Sequence, residues 1–238
     1  MKTREGPARR RAGGKQAHQS LADRAYDHLE EMIATLELRP GRIVTEGELV
    51  ERLGIGRTPL REAVQRLAAQ RLVTTLPRRG LVVSEVNLTD HLGVLETRRV
   101  LDRLIASGAA RRATPAQREE LRTYAGMMER AALAGDAARF MVLDQEFDWL
   151  IGRACHNPAA TLAIAPLHVH CRRFWYLHRH QEDLQRSASL HEQLIEAVVA
   201  GDEERAARSS DDLMTYLEDF TRAAFELYLK PPATERVP

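Results

Sequence analysis

Hydrophobic and polar positions follow two rhythms along this chain. Between residues 57 and 67, Leu60, Ala63, Val64 and Leu67 fall within about 100° of one another on a helical wheel, which makes a core-facing stripe. Arg57, Arg61 and Gln65 recur at i, i+4 and i+8 and form a row beside that stripe, pointing outward. The preceding turn, Leu53-Gly54-Ile55-Gly56, has glycines where a sharp helix-to-helix turn needs permissive φ. Thr58 starts the second helix and Pro59 sits in its first turn, where a missing N–H costs nothing. Leu72 to Leu76 and Leu81 to Val83 then read as two short strands around Pro77-Arg78-Arg79-Gly80. From Asn87 onward the spacing is helical nearly throughout, interrupted at Thr114-Pro115, Gly135-Asp136, Asn157-Pro158 and Gly201-Asp202.

The second rhythm predicts six helices, at about 88–112, 115–134, 136–155, 158–180, 182–200 and 202–230, with no strand-like alternation and no repeat. The expected fold is mainly α: an N-terminal winged helix-turn-helix of three helices and a two-strand wing, followed by an all-α six-helix bundle. The domain limits read as a basic tail at 1–19, the winged unit at 20–85, the bundle at 86–232 and a short tail at 233–238.

Charge sharpens this division. The net charge of +1 hides about +5 in the first twenty residues, zero over 21–85 and −4 from residue 86 onward. Within the neutral winged segment, six arginines (57, 61, 66, 71, 78 and 79) stand against one acid, Glu62, between positions 57 and 79. A row of two guanidiniums and one amide suits a groove edge: Arg takes guanine bidentately, Gln takes adenine, and either Arg clamps a phosphate instead. The bland alternative is a solvated basic face. The basic tail lacks an apolar segment and reads as disordered rather than as a signal peptide, with non-specific attraction to DNA as its possible role. No run of about 18 apolar residues occurs, so no membrane partner is expected. Cys155 and Cys171 fit neither a disulfide framework nor a zinc spacing, and a reducing bacterial cytoplasm is the expected compartment.

The stretch PGRIVTEGELVERLGIGRTPLREAVQRLAAQRLV closely resembles the signature of the GntR family of bacterial transcription regulators. The resemblance implies that Arg57 and Arg61 contact operator DNA, that Thr58 and Gly80 approach its backbone or minor groove, and that Glu46 and Glu48 lie on the first helix of the pair. Three positions depart from the pattern: Gly56 stands where Ser is usual, Gly47 where many members carry another DNA-contacting Arg, and Arg71 where Gly normally ends the helix. Arg78 and Arg79 complete the expected interface at the wing tip.

The second half resembles the FCD effector domain of the FadR subgroup, through ETRRVLDRLIASGAARRAT at 96–114, DQEFD at 144–148, HNP at 156–158 and LHEQLIEAVVAGDEERA at 190–206. The resemblance implies a homodimer whose helical bundle binds a small organic acid, often through a divalent metal held by an Asp and a His four apart on one helix and by two further His on the last two helices. This chain keeps Asp144 and His191, has Asp148 where the first His is expected, and has Leu213 where the last would fall. Asp144, Asp148 and His191 with water would suit one Zn²⁺, Mn²⁺ or Mg²⁺ ion; alternatively they are two acids at a helix edge beside Phe140, Leu143 and Phe147. Without a metal, the acid needs side-chain cations, for which Arg98, Arg172 or Arg173 are the candidates. In LHVHCRRFWYLHRH at 167–180, His pairs at i, i+2 point to different faces and cannot chelate together, whereas His168 with Arg172, and His170 with Phe174, share faces.

The function expected is therefore a ligand-controlled DNA-binding regulator, more often a repressor, acting as a dimer on an inverted repeat. Two alternatives stay open: an architectural DNA binder without effector, and a metal hydrolase built on Asp144, Asp148 and His191. No nucleophile elbow or phosphate loop supports an enzyme. A pyridoxal-phosphate domain is excluded by length and by lysines found only at positions 2, 15 and 230.

Overall fold

The computed structural model describes residues 19–178 and 183–229, with side chains to residue 226. The tails at 1–18 and 233–238, the predicted helix boundary at 180–182 and His180 lie outside the described residues. The chain divides into two compact units, one of residues up to Ile33 with Gly41–Ser84, the other of Ala34–Pro40 with Glu85 onward.

The first unit contains α1 (Leu21–Ala34, its last residue in the second unit), β1 (Ile43–Val44), α2 (Glu46–Leu53), α3 (Arg57–Ala69), β2 (Val73–Leu76) and β3 (Gly80–Val83). Its core is built from Leu29 and Ile33 on α1, Leu49 on α2, and Leu60, Ala63 and Leu67 on α3, all almost fully buried, together with Leu72, Leu81 and Val83. The predicted stripe on α3 is therefore the packed face.

The wing differs from expectation. It is one edge of a three-stranded antiparallel sheet in the order β1-β3-β2, with Ile43 opposite Val82 and Val73 opposite Val83. A strand of two residues is too short to show alternation, so nothing in the pattern announced β1.

Local chemistry sets the helix ends. Thr45 caps α2 by accepting from the Glu48 N–H, and Gly54 closes it in the left-handed region at φ 63°. Gly56, by contrast, has φ −64° and is the N-cap of α3, so it is not needed for backbone freedom and provides no side-chain cap. The helix starts at Arg57, one residue before the expected Thr58. At the far end Arg71 takes φ 59°, with its N–H on Ala68 O and the Leu72 N–H on Leu67 O, so an arginine occupies the left-handed site that glycine usually fills.

The second unit is six helices: α4 (Leu88–Arg112), α5 (Pro115–Leu133), α6 (Ala137–Cys155), α7 (Pro158–His178), α8 (Leu184–Ala200) and α9 (Glu203–Leu229). Their starts match the sequence breaks because polar caps sit there. Asn87, Asp136 and Asp183 accept from backbone N–H groups, and Thr114 with Gln117 forms a full capping box ahead of Pro115. α4 contacts α6, α7, α8 and α9, so its buried positions, including His91, Leu95, Arg98, Ile105 and Ala109, are not confined to one stripe.

Two glycines separate strain from crowding. Gly54 has open space where a Cβ would stand, whereas a Cβ on Gly80 (φ 104°) would collide with the Val44 carbonyl oxygen and lie 2.8 Å from Thr45 Cα. Gly54→Ala is expected to cost about 1 kcal/mol, the conformational penalty alone, and Gly80→Ala distinctly more, roughly 2 kcal/mol or above. Denaturant titration of the two variants checks this ordering.

Candidate functional site

Two places gather the predicted side chains, one in each unit. In the first, burial of Leu60, Ala63 and Leu67 turns Arg57, Thr58, Arg61 and Gln65 to solvent, as the wheel predicts. Arg78 and Arg79 are exposed at the β2–β3 turn, where Arg78 takes φ 64°. Thr45, Glu46, Arg61, Arg78, Arg79 and Gly80 help to line a concavity of about 450 Å³ between α3 and the wing.

The six arginines do not form one patch. Arg66 donates to Asp23 at 2.7 Å and lies 4.0 Å over the Tyr26 ring, which ties α3 to α1. Arg71 ends the helix. The free cations are Arg57, Arg78 and Arg79, none of which makes an ion pair within the described residues. Arg61 instead donates from Nε and Nη2 to both oxygens of Glu46 at 2.9–3.1 Å, and that hydrogen bond holds the Glu46 carboxyl below its usual range. At Gly80 the lack of a side chain lets the wing backbone lie against Val44 and Thr45.

The second site is a cavity of about 70 Å³ inside the helical unit. α4 supplies Arg98 and Asp102, α6 supplies Asp144 and Asp148, α7 supplies His168, Cys171, Arg172 and Trp175, and α8 supplies His191. Arg173 does not line it. That side chain is almost fully buried elsewhere, and burial lowers its pKa to about 10 despite the nearby Glu85 charge. One residue of helix turns it by about 100° from Arg172, so only one of the two neighbours faces the cavity.

Charges inside this cavity are paired. Arg98 donates to Asp102 at 2.9 Å across one helical turn, His191 meets Asp144 at 3.0 Å and His168 meets Asp148 at 3.1 Å. Burial works against the charge on Arg98, but Asp102, Cys171 and Asp148 raise its pKa well above the ordinary value. Burial likewise opposes ionised Asp144, yet His191 holds it below the carboxylate range. Burial, with the Asp144 and Asp102 charges, holds Asp148 above that range although His168 and Arg98 pull the other way. His168 Nε2 lies 3.5 Å from Asp102 Oδ1, and Trp175 Nε1 is buried at the cavity without a hydrogen-bond partner.

The donors do not fit a bound metal. Among the described residues no three His, Cys, Asp or Glu side chains converge as a ligand group, and Leu213 lines the cavity in place of a fourth donor. The His191 Nε2 is directed at Asp144, while its Nδ1 is 2.8 Å from Ser187 O. Cys155 and Cys171 are both free thiols.

The sequence missed the partners of these residues. The Arg98–Asp102 pair was readable from its i, i+4 spacing. Glu46 with Arg61, fifteen residues apart, and His168 with Asp148 carry no local spacing signal.

Residues 21–83 match the bacterial regulatory proteins of the gntR family, and residues 93–216 match the FCD domain. A Streptomyces ambofaciens protein described as an "Uncharacterized HTH-type transcriptional regulator in unstable DNA locus" is 31% identical over 74% of this chain and 75% of its own length. A Paenarthrobacter nicotinovorans protein, "Probable D-xylose utilization operon transcriptional repressor", is 27% identical over 79% of this chain and 82% of its own. Among solved structures, E. coli McbR/YncC shares the fold with a TM-score of 0.76 at 21% identity, covering 89% of this chain and all of that one. No helix among the described residues is long and apolar enough to cross a membrane.

The Asp144–His191 pair gives a signed pH dependence. Burial opposes a charged His191, but Asp144 outweighs it and raises the imidazole above its ordinary 6.5, while Asp144 sits below its ordinary 3.8. The raised His contributes stability that is complete below pH 6.5 and is lost as pH rises through the folded value. The lowered Asp contributes stability present above pH 3.8 that is lost on acidification through its folded value. The pair therefore supports the bundle most between about pH 4 and 6.5. Asp144→Asn is expected to flatten the fall of Tm above pH 6.5, measured by thermal unfolding across pH 6–9.

Proposed function

Because this chain belongs to the gntR family of bacterial regulatory proteins and carries an FCD domain, we propose that it is a ligand-controlled repressor of the FadR subgroup. It binds an inverted-repeat operator as a homodimer, and a small carboxylate held in the α4–α9 unit lowers its operator affinity. The observation that carries this reading is the cavity around buried Arg98, with Trp175 Nε1 buried at its wall without a hydrogen-bond partner. An indole N–H wants an acceptor, and the free donors of a guanidinium suit a carboxylate.

A metal is not required for this. Arg98 stands as a fixed cation in the cavity, beside carboxylates and imidazoles that already pair with one another, so the ligand meets a guanidinium rather than a coordinated ion. The D-xylose relative, named as a repressor, supports the direction of control. Dimerisation follows from geometry: one recognition helix reads few base pairs, and a twofold pair reads enough for useful specificity. The coupling between ligand and operator is of the order of 1–3 kcal/mol.

Selection of bound fragments from genomic DNA should recover a short inverted repeat, and recovery of no motif would oppose the reading. On that repeat, Arg57→Ala and Arg61→Ala should each cost roughly 1–3 kcal/mol of binding. Arg98→Met should leave operator affinity intact in the absence of ligand but abolish the thermal shift and the operator release caused by a small carboxylate. Protein stripped of metal by chelation should keep that shift; loss of response on stripping would return the metal to the site.

A further inference from the structure

We propose that Glu46 is a positioning residue for DNA reading, which holds Arg61 as the base reader and leaves Arg57 to the phosphate backbone. This rests on the DNA-binding role of α3 given above. Glu46 takes Nε and one hydrogen of Nη2, the side-on edge of the guanidinium. A guanidinium has five N–H donors. The end-on fork of Nη1 and Nη2 therefore remains complete, and that fork is the one that fits guanine O6 and N7.

Stability does not explain the pair. The two side chains are 62% and 38% exposed, and ion pairs in that setting contribute little to folding. The gain lies in binding. A long, rotamer-rich side chain normally loses its freedom when it docks, and Arg61 has already lost much of it before DNA arrives. Arg57, four residues earlier on the same row, has no such brace within the described residues. A free guanidinium suits a phosphate, which accepts it from many directions.

Glu46 acts in a second way. Its carboxylate stands in the concavity between α3 and the wing and subtracts from the positive field that any duplex would feel. Its neutralisation by Arg61 is complete only while Arg61 keeps the braced pose. A duplex offering guanine at the right position is read without disturbing the pair; a duplex that draws Arg61 toward a phosphate leaves a bare carboxylate facing DNA. The brace itself is held in register by the sheet, because the wing backbone at Gly80 lies against Thr45, the residue immediately before Glu46.

The test uses the full-length protein without ligand, the inverted repeat recovered by selection, the same repeat with each base pair changed in turn, and a scrambled duplex of equal length, over a range of salt. Glu46→Gln is expected to bind the scrambled duplex more tightly and to lose roughly tenfold discrimination at one symmetric base-pair position. Arg61→Ala should lose discrimination at that same position, and the double variant should be no less selective than Arg61→Ala alone. Arg57→Ala should weaken binding to all duplexes alike and reduce the salt slope by about one. Thermal unfolding of Glu46→Gln should match the parent protein, so a change in base preference cannot come from misfolding. A Glu46→Gln protein with unchanged discrimination, or additive losses in the double variant, overturns the brace while leaving Arg61 as a base contact. An Arg61→Ala protein with unchanged base preference overturns the base-reading role itself.

Discussion

A charge removed from water must find its counter-charge inside the protein, and the helical unit is organised around that demand. Arg98 is buried on α4, and Asp102 one turn later answers it. Asp102 then faces His168, His168 faces Asp148, and Asp144 faces His191, so that four helices are committed to one electrostatic arrangement. Removing any single member strands its partner in a buried site, which costs far more than the pair contributes when whole. The cavity thus sets a cluster of paired charges within a largely apolar wall that includes Phe140, Phe147 and Ile151.

This explains why the chemistry of the site was only partly legible in the sequence. Helix limits were readable because Asn87, Thr114, Asp136 and Gly201 act within one turn, and local signals lie close together in the chain. Asp144 and His191 were singled out by resemblance to a metal-binding pattern, and they do meet, but as an ion pair. Arg172 and Arg173 could not be separated by composition, since a one-residue step on a helix decides which enters a cavity and which is enclosed. The third strand escaped for a different reason: β1 exists only because the wing offers it an edge, and two residues carry no periodicity of their own.

In the DNA-reading unit the wheel was sufficient for α3, whose apolar stripe and polar row are consequences of one angle per residue. It was insufficient for the arginines, which share a charge but not a task. Arg66 fastens α3 to α1 through Asp23 and Tyr26, Arg71 ends a helix in a conformation that costs an L-residue energy, and Arg61 is engaged by a carboxylate. Counting positive residues overstates such an interface; what matters is which guanidiniums are unoccupied and which are oriented.

The missing side-chain cap at the start of α3 has a consequence for the life of the free protein. With Gly56 before the helix and Pro59 in its first turn, the peptide N–H groups of Arg57 and Thr58 have no intrahelical acceptor and no capping oxygen, so water is their ordinary partner. A phosphate oxygen placed at that end would complete the turn and meet the positive pole of the helix at once. The first turn of α3 is thereby expected to exchange its amide hydrogens readily in free solution, and a phosphate seated there would slow that exchange.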